Sequence, residues 1–257
     1  MTVLAVSAPK AGSARYTLRV AADEAEVRAA GRLRYQVFAE ELGATLHTST
    51  PGMDSDEFDT YCDHLIVVED ASAEVVGTYR MLPPGRTDSR YAAGEFDISA
   101  QSRLAHDLVE TGRSCVHPDH RDGAVINLMW AGIARYMHLT GHRWLAGCAS
   151  VGLADGGDVA AGVWELAQRK HMAPDDLRVT PHNPWPVRPA PPGRVDVPPL
   201  LRGYLRLGAW VCGAPAFDPD FGCADFYVLL GLDQMDQRYL RHFLGHQAHP
   251  GAPGSEP

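Results

Sequence analysis

Three places in the chain set ionisable side chains beside apolar runs, where a charge needs a partner or a task. The stretch "MDSDEFDTYCDHLIVVE", Met53 to Glu69, carries five carboxylates within eleven residues and then runs into an apolar strand pattern. Within it Asp56 and Asp59 lie three apart, with Asp63 and His64 following. Carboxylates placed this way can hold an ammonium group or move a proton, although a carboxylate run is more often a solvated turn. The stretch "RYQVF" puts Arg34 and Phe38 one helical turn apart on one face, which is equally the pattern of a surface arginine over a core phenylalanine. "VETGRSCVHPDHRDG" sets Glu110 and Arg113 on or beside a strand that leads into a helix start. Such a junction presents unpaired backbone N–H groups and a positive dipole end, which suit a phosphate or an oxyanion.

Other chemistries find less support. The twelve histidines include His117 and His120 with acids nearby, but no H-E-x-x-H and no three-ligand spacing occurs, so no catalytic metal is expected. There is no G-x-S-x-G elbow. Cys115 stands two residues from His117, yet a strand cysteine is more often core than nucleophile. The five cysteines are scattered, odd in number and without C-x-x-C, and read as reduced thiols. A net charge of −9 argues against nucleic-acid binding, which needs clustered Lys and Arg; a local basic patch would still suffice to dock an acidic carrier protein. No apolar run reaches the ~18 residues of a membrane span, so the protein is expected in the cytoplasm, with contact at the inner membrane face left open.

The elements that must position these residues follow from periodicity. "YTLRVA" suits a first strand. The helix after it opens with Asp23 and Glu26 at capping-box spacing, puts Val27, Ala30, Leu33 and Val37 on one face, and stops at Gly43. "HLIVVED" and "EVVGTYRMLP" read as a hairpin, and the irregular stretch 83–107 should cover something. A strand at "LVETGRSCVHP", a helix ending at Gly141, a buried strand "RWLAGCASV" and a helix "DVAAGVWELAQRKH" follow. Residues 181–199 hold eight prolines and can be neither helix nor central strand. A strand "DFYVLLGL" and a helix "DQRYLRHFLG" close the fold. At 257 residues and 45% apolar, the chain is read as a flexible 1–15, a single domain over 16–244 with the 181–199 loop, and a disordered tail 245–257. The element order implies an α/β fold, a mixed sheet flanked by helices on both faces.

"LRYQVFAEELGA", "MDSDEFDTYCDHLIVV", "GTYRMLP" and "ETGRSCVHPDHR" resemble, in order and spacing, the acyl-homoserine-lactone synthases and their relatives the ornithine Nα-acyltransferases. The C-terminal "VPPLLRGYLRLGAWVCGAPAFDPDFGCADFYVLL" resembles only the second group, and the likeness covers about Tyr16 to Phe243. It implies a Gcn5-related acyltransferase fold that moves a fatty acyl group from an acyl carrier protein thioester to an amine. Acyl-CoA is the alternative donor, and no bound cofactor is implied. The functional set of the lactone synthases falls on Arg34, Phe38, Asp56, Asp59, Arg80, Glu110 and Arg113. Their Trp after the Leu-Gly pair is Ala44 here, which departs from an S-adenosylmethionine acceptor and leaves an amino acid, ornithine first.

In Gcn5-related acetyltransferases the strand-to-helix junction carries an Arg/Gln-x-x-Gly-x-Gly/Ala loop for the coenzyme A pyrophosphate. Here "HRDGAVINL" keeps Arg121 and Gly123 as phosphate-binding candidates but has Val125 and Ile126 where small residues belong. The residue chemistry fits an amino-acid acceptor. Glu110 is expected as general base, Asp56 and Asp59 to hold the amine or order Arg34, and Arg80 and Arg113 to bind the acceptor carboxylate or brace the acids. Backbone N–H groups near Val116 and His117 are expected to meet the oxyanion. Val125, Leu128, Met129 and "RWLAGCASV" could line an acyl slot or be plain core. The alternatives are a coenzyme A-dependent acetyltransferase of a small amine and a non-catalytic lipid-binding scaffold.

Overall fold

The apolar run after the acidic stretch is buried on both faces, and this sets the architecture. It forms β3 (Asp63–Glu69), antiparallel to β4 (Val75–Leu82), as the expected hairpin. Leu65 and Val67 join the core that holds Val125 and Met129 of helix α2 (Ala124–Thr140). Ile66 and Val68 pack instead with Ala30 of helix α1 (Glu24–Tyr35). Side chains alternate along a strand, so burial of both sets requires a helix layer on each face.

The computed structural model of the chain describes residues 6–8, 15–193 and 195–235. Its main sheet has nine strands, eight of them side by side in the order β1 (Val6–Ala8), β2 (Tyr16–Val20), β3, β4, β6 (Leu108–Val116), β7 (Trp144–Gly152), β11 (Cys223–Gly231) and β10 (Ala216–Asp218). β9 (Trp210–Val211) also pairs with β11, and β5 (Phe96–Asp97) forms a separate ribbon with β8 (Thr180–Pro181). Within this sheet only β6 and β7 run parallel, linked by the α2 crossover, so the sheet is mixed as expected. Helix α3 (Asp158–Lys170) packs its alanines into the same core as α2.

Some of the architecture differs from the expectation. β1 lies inside the segment 1–15, where flexibility is expected, and pairs with β2. Helix α4 (Pro199–Arg206) starts within the proline-rich stretch, because proline fits the first turn of a helix where its N–H would be unpaired anyway. The helix after β2 is α-helical only to Tyr35 and continues as a π-helical turn over Gln36–Glu41 before Gly43 ends it at φ +73°. Asp23 caps Glu26 N as expected, but Glu26 returns its bond to Ala22 N. The closing helix "DQRYLRHFLG" and the tail 245–257 lie outside the described residues, and no described helix is long and apolar enough to cross a membrane.

One irregularity positions the site. β6 pairs with β7 only from Leu108 to Thr111. Beyond that point β6 stays with β4 and β7 stays with β11, so residues 112–116 and 148–152 part and leave an opening through the sheet. At the parting Thr78 faces Cys115 and Arg80 faces Gly112, which leaves Arg113 and Ser114 together opposite Tyr79. Arg113 takes a left-handed φ of +52° in this bulge, a conformation costing roughly 1 kcal/mol for a residue with a Cβ.

Candidate active site

The acidic stretch folds back over α1 and supplies one side of a paired ionic network. Asp56 caps a short turn over Glu57–Thr60, accepting from Phe58 N at 2.9 Å, while Asp59 Oδ2 accepts from Asp56 N at 3.1 Å. The three-residue spacing is thus first a capping box, which aims both carboxylates at the sheet. Arg34, buried on α1, forks onto Asp59 with Nη1–Oδ1 of 2.9 Å and Nη2–Oδ2 of 2.8 Å, and places Nε 2.8 Å from Asp54 Oδ2. Arg80 Nη1, from β4, donates to Asp56 Oδ1 at 2.6 Å and to Asp59 Oδ1 at 3.1 Å. Arg113 Nε lies 3.3 Å from Asp54 Oδ2 and its Nη2 3.8 Å from Asp56 Oδ2. Three arginines face three aspartates, so the network is neutral as a whole.

Burial opposes the charge on Asp59, but the Arg34 fork outweighs it and holds the carboxyl well below the usual carboxylate range. Burial likewise opposes the Arg80 charge, and Asp56 and Asp59 hold that guanidinium above its ordinary value. These groups are fixed ions, suited to ordering a site and unsuited to exchanging protons. Asp54, 3% exposed, is a member of the network that the run of acids in the sequence does not distinguish from a solvated turn. What could have marked it is Gly31: a Cβ there would meet Met53 Cγ at 2.8 Å and Asp54 O at 3.0 Å, so α1 keeps a bare patch where the acidic chain lies down.

Glu110 stands apart from this network. Its register partner across the sheet is Leu82. Its Oε2 accepts from Tyr91 N at 2.8 Å and its Oε1 from Ala92 N at 3.0 Å. The irregular stretch 83–107 therefore covers Glu110. Burial pushes the Glu110 carboxyl above the ordinary glutamate range, against the lowering by those two amides. It faces a cavity of about 30 Å³ with Phe58, Cys62, Arg80 and Tyr91 around it, room for one water. Tyr91 also accepts from Arg113 Nη1 at 3.5 Å, and its ring lies 5.1 Å from the Arg113 guanidinium. Sequence pattern carried no signal for Tyr91, which sits in a turn without period.

A second cavity, about 410 Å³, occupies the opening between β6 and β7. It shares Tyr91, Thr111, Gly112 and Arg113 with the small one. Phe38, from the π-helical turn, lines it and meets Phe221 edge-on at 5.6 Å. Tyr79, Leu153 and Leu200 add apolar wall, and Leu42 stands at the rim, 62% exposed. Val125, Leu128 and Met129 do not line this space; they are core, with Val125 against Gly77. Cys115 is core as well, its thiol pushed up to about 12 by burial, which removes it as a nucleophile. Across the cavity stand Glu95, Asp218 and Asp225, which the sequence reading did not single out.

The remaining candidates sit at the strand-to-helix junction. His117 N donates to Val76 O at 2.8 Å, so this amide belongs to the sheet and is not open to an oxyanion. That bond makes Val116 opposite Gly77 the non-hydrogen-bonded pair, whose N–H and C=O point away from β4, and the Val116 carbonyl indeed accepts from Arg121 Nε at 3.0 Å. Arg121 also forks onto Glu41 at 2.5 and 2.7 Å. Gly123 takes φ +99° before α2, and Asp122 Oδ1 accepts from Ala124 N at 2.9 Å. The chain's own carboxylates thus pair Arg121 and cap the first turn of α2.

Comparison with known proteins gives a consistent picture. The profile of the acetyltransferase (GNAT) domain matches residues 33–131. The chain is 32% identical over 246 residues to an L-ornithine Nα-acyltransferase of Brucella abortus, covering 88% of each chain. It is 34% identical over 247 residues to one of Rhodobacter capsulatus, covering 89% of this chain and 94% of that one. Among solved structures, a CoA-dependent acyl-homoserine lactone synthase, BjaI with MTA, superposes with a TM-score of 0.51 at 16% identity, over 86% of this chain and 81% of that one. FeeM, an N-acyl amino acid synthase from uncultured soil microbes, does so with a TM-score of 0.51 at 14% identity, over 86% and 94%. These two likenesses concern the fold alone.

Proposed function

The chain belongs to the L-ornithine Nα-acyltransferase family, and from that premise we propose that it moves a long-chain acyl group, of the 3-hydroxyacyl kind, from acyl carrier protein to the α-amine of L-ornithine, in lyso-ornithine lipid or N-acyl amino acid synthesis. The observation that carries this reading is Glu110: a buried carboxyl with a raised pKa, facing a water-sized cavity that adjoins the opening between the parted strands.

In this mechanism the acceptor enters with its carboxylate toward Arg113, the guanidinium shared by both cavities. Glu110, through one water, takes a proton from the α-ammonium. The freed amine attacks the thioester carbonyl, the new C–N bond forms and the carbonyl electrons move to oxygen, opposite the Val116 amide that the ladder turns away from β4. Collapse breaks the C–S bond, and the leaving pantetheine sulfur takes up the second proton that the nitrogen sheds, giving amide and free thiol, while the first proton stays with Glu110 and its water. Arg34, Arg80 and the three aspartates hold the strand mouth in place.

The filled junction at Arg121 and Asp122 favours a carrier-protein donor over coenzyme A, since a pantetheine arm with one phosphate makes less demand on the α2 N-terminus. Leu42, exposed at the cavity rim, suits work at the cytoplasmic membrane face, where a lipid product would leave. The test is parallel incubation of the protein and ornithine with long-chain acyl carrier protein, long-chain acyl-CoA and acetyl-CoA, read by mass spectrometry. N-acylornithine from the carrier-protein donor is the expected product. Turnover with acetyl-CoA alone would overturn the reading.

A further inference from the structure

The larger cavity has an acidic wall that the mechanism above leaves unused. Glu95 follows the turn Tyr91–Gly94 that covers Glu110, while Asp218 and Asp225 come from neighbouring strands β10 and β11. Asp225 is 3% exposed, and its Oδ1 has no hydrogen-bond partner among the described residues. The same holds for Oε2 of Glu95. Among the described residues, no Lys, Arg or His nitrogen lies within 4.0 Å of either carboxylate. Elsewhere at this site the buried aspartate, Asp54, has its arginines; here two carboxyl groups share a wall with no cation among the described residues.

A buried carboxylate beside a partly buried one, without a counter-ion, is costly to hold. The fold eases the cost by keeping a proton on the pair: burial, with Asp225 and Asp218 nearby, pushes Glu95 up to about 9, and Asp225 is raised as well. An ammonium group entering between the two carboxyls supplies the missing counter-charge and displaces that proton, so that both can ionise against it. We propose that Glu95 and Asp225 bind the side-chain ammonium of a diamino-acid acceptor and thereby select ornithine over amino acids whose side chain is uncharged; this rests on the acceptor reading above.

The assignment also accounts for which nitrogen reacts. An alkyl ammonium of the lysine kind loses its proton only near ~10.4, and a carboxylate pair holds that proton more firmly still. The side-chain nitrogen then stays an ammonium with no lone pair to offer, and the α-amine is left to attack. A metal ion is the competing occupant, since ligand atoms of Asp218, Cys223 and Asp225 lie within 4.8 Å of one another. The Cys223 thiol already donates to Asp225 Oδ2 at 3.6 Å, and burial raises its pKa, so it is a protonated donor and a poor ligand.

The decisive measurement is kcat/KM for ornithine and for norvaline, which lacks only the δ-ammonium, with one acyl donor, in the parent, Glu95→Gln and Asp225→Asn. The parent should prefer ornithine by roughly two orders of magnitude or more. Glu95→Gln should cut that ratio by about tenfold or more and leave norvaline turnover within about twofold. An unchanged ratio overturns the assignment, and so does an equal fall for both substrates, which marks a structural role. Glu95 is only partly buried, so Glu95→Gln carries the test even where Asp225→Asn melts early. A parent that acylates norvaline as readily as ornithine overturns the assignment while leaving amino-acid acylation intact. A parent that acylates neither, with every donor, removes the acceptor reading itself. Stoichiometric binding of added zinc that Asp225→Asn abolishes, with the ornithine preference untouched by Glu95→Gln, would give the wall to a metal instead.

Discussion

Arg34 and Asp59 meet through two parallel hydrogen bonds, 2.9 and 2.8 Å, that tie a helix to a capped turn. Arg34 is buried and Asp59 largely so, and both ends are tied further, Arg34 to the Asp54 carbonyl at 2.6 Å and Asp59 to Arg80. Removing one partner strands the other charge out of water, which costs about 3–5 kcal/mol for a buried pair. Asp59→Asn should therefore melt well below the parent. Arg34→Lys should destabilise as well, since an ammonium cannot form the fork. Because the Asp59 pKa is depressed, its contribution is fully present above the ordinary carboxylate range and is lost as pH falls through the folded pKa. Melting curves of parent and Asp59→Asn should converge on acidification; a constant gap would argue against the ion pair as its source.

Glu110→Gln keeps the shape of the side chain and removes the base. The fold should persist, because an amide oxygen still accepts from Tyr91 N or Ala92 N, while kcat should fall by about 10²–10³. In the parent, log kcat should rise with pH through a limb set by Glu110, displaced above the ordinary glutamate value by burial. The variant should lose that limb. A parent profile whose limb survives in Glu110→Gln would place the base elsewhere.

Arg113→Gly separates geometry from charge. Glycine takes φ +52° freely and releases about 1 kcal/mol of strain, which offsets the lost contact to Asp54. Tm should stay within roughly 3 °C of the parent, whereas KM for the amino acid should rise by about tenfold or more. A collapse of Tm with KM unchanged would make Arg113 a brace of the network rather than a contact for the acceptor.

These residues show where sequence reasoning reached and where it stopped. Asp56, Asp59, Arg34, Arg80, Glu110 and Arg113 lie on or beside elements with clear period, and the fold brings them together at one strand mouth. Asp54 looked like solvation because nothing local marks it; its burial comes from α1 packing over Met53. Tyr91 and Glu95 sit in a stretch without period, and they reach Glu110 and the cavity wall through the docking of a turn that no local pattern announces. Short β9 and β10 carry too few residues to show alternation, and α4 begins behind two prolines that read as breakers. Whether the His117 amide is free depends on strand pairing beyond Val116, which no local pattern in the sequence encodes.

The last prediction concerns the acidic wall. Glu95 loses its proton at ~4.3 in an unfolded chain and near about 9 in the fold, facing Asp225, Asp218, Cys148 and Tyr91. Across that window the folded chain binds more protons than the unfolded one, so stability falls as pH rises, and the penalty is complete above the folded pKa. Glutamine has no proton to lose. Glu95→Gln should therefore melt above the parent at pH 8, with each kcal/mol gained appearing as ~3 °C, and the gap should narrow toward pH 5. Saturating ornithine should raise the parent Tm more than that of the variant, because only the parent gains a counter-ion for its pair. A variant that is more stable when empty yet worse at choosing ornithine is the pattern of a side chain retained for its ligand. Parallel melting at both pH values, with equal ornithine shifts, would mean that the wall holds no charge to be met.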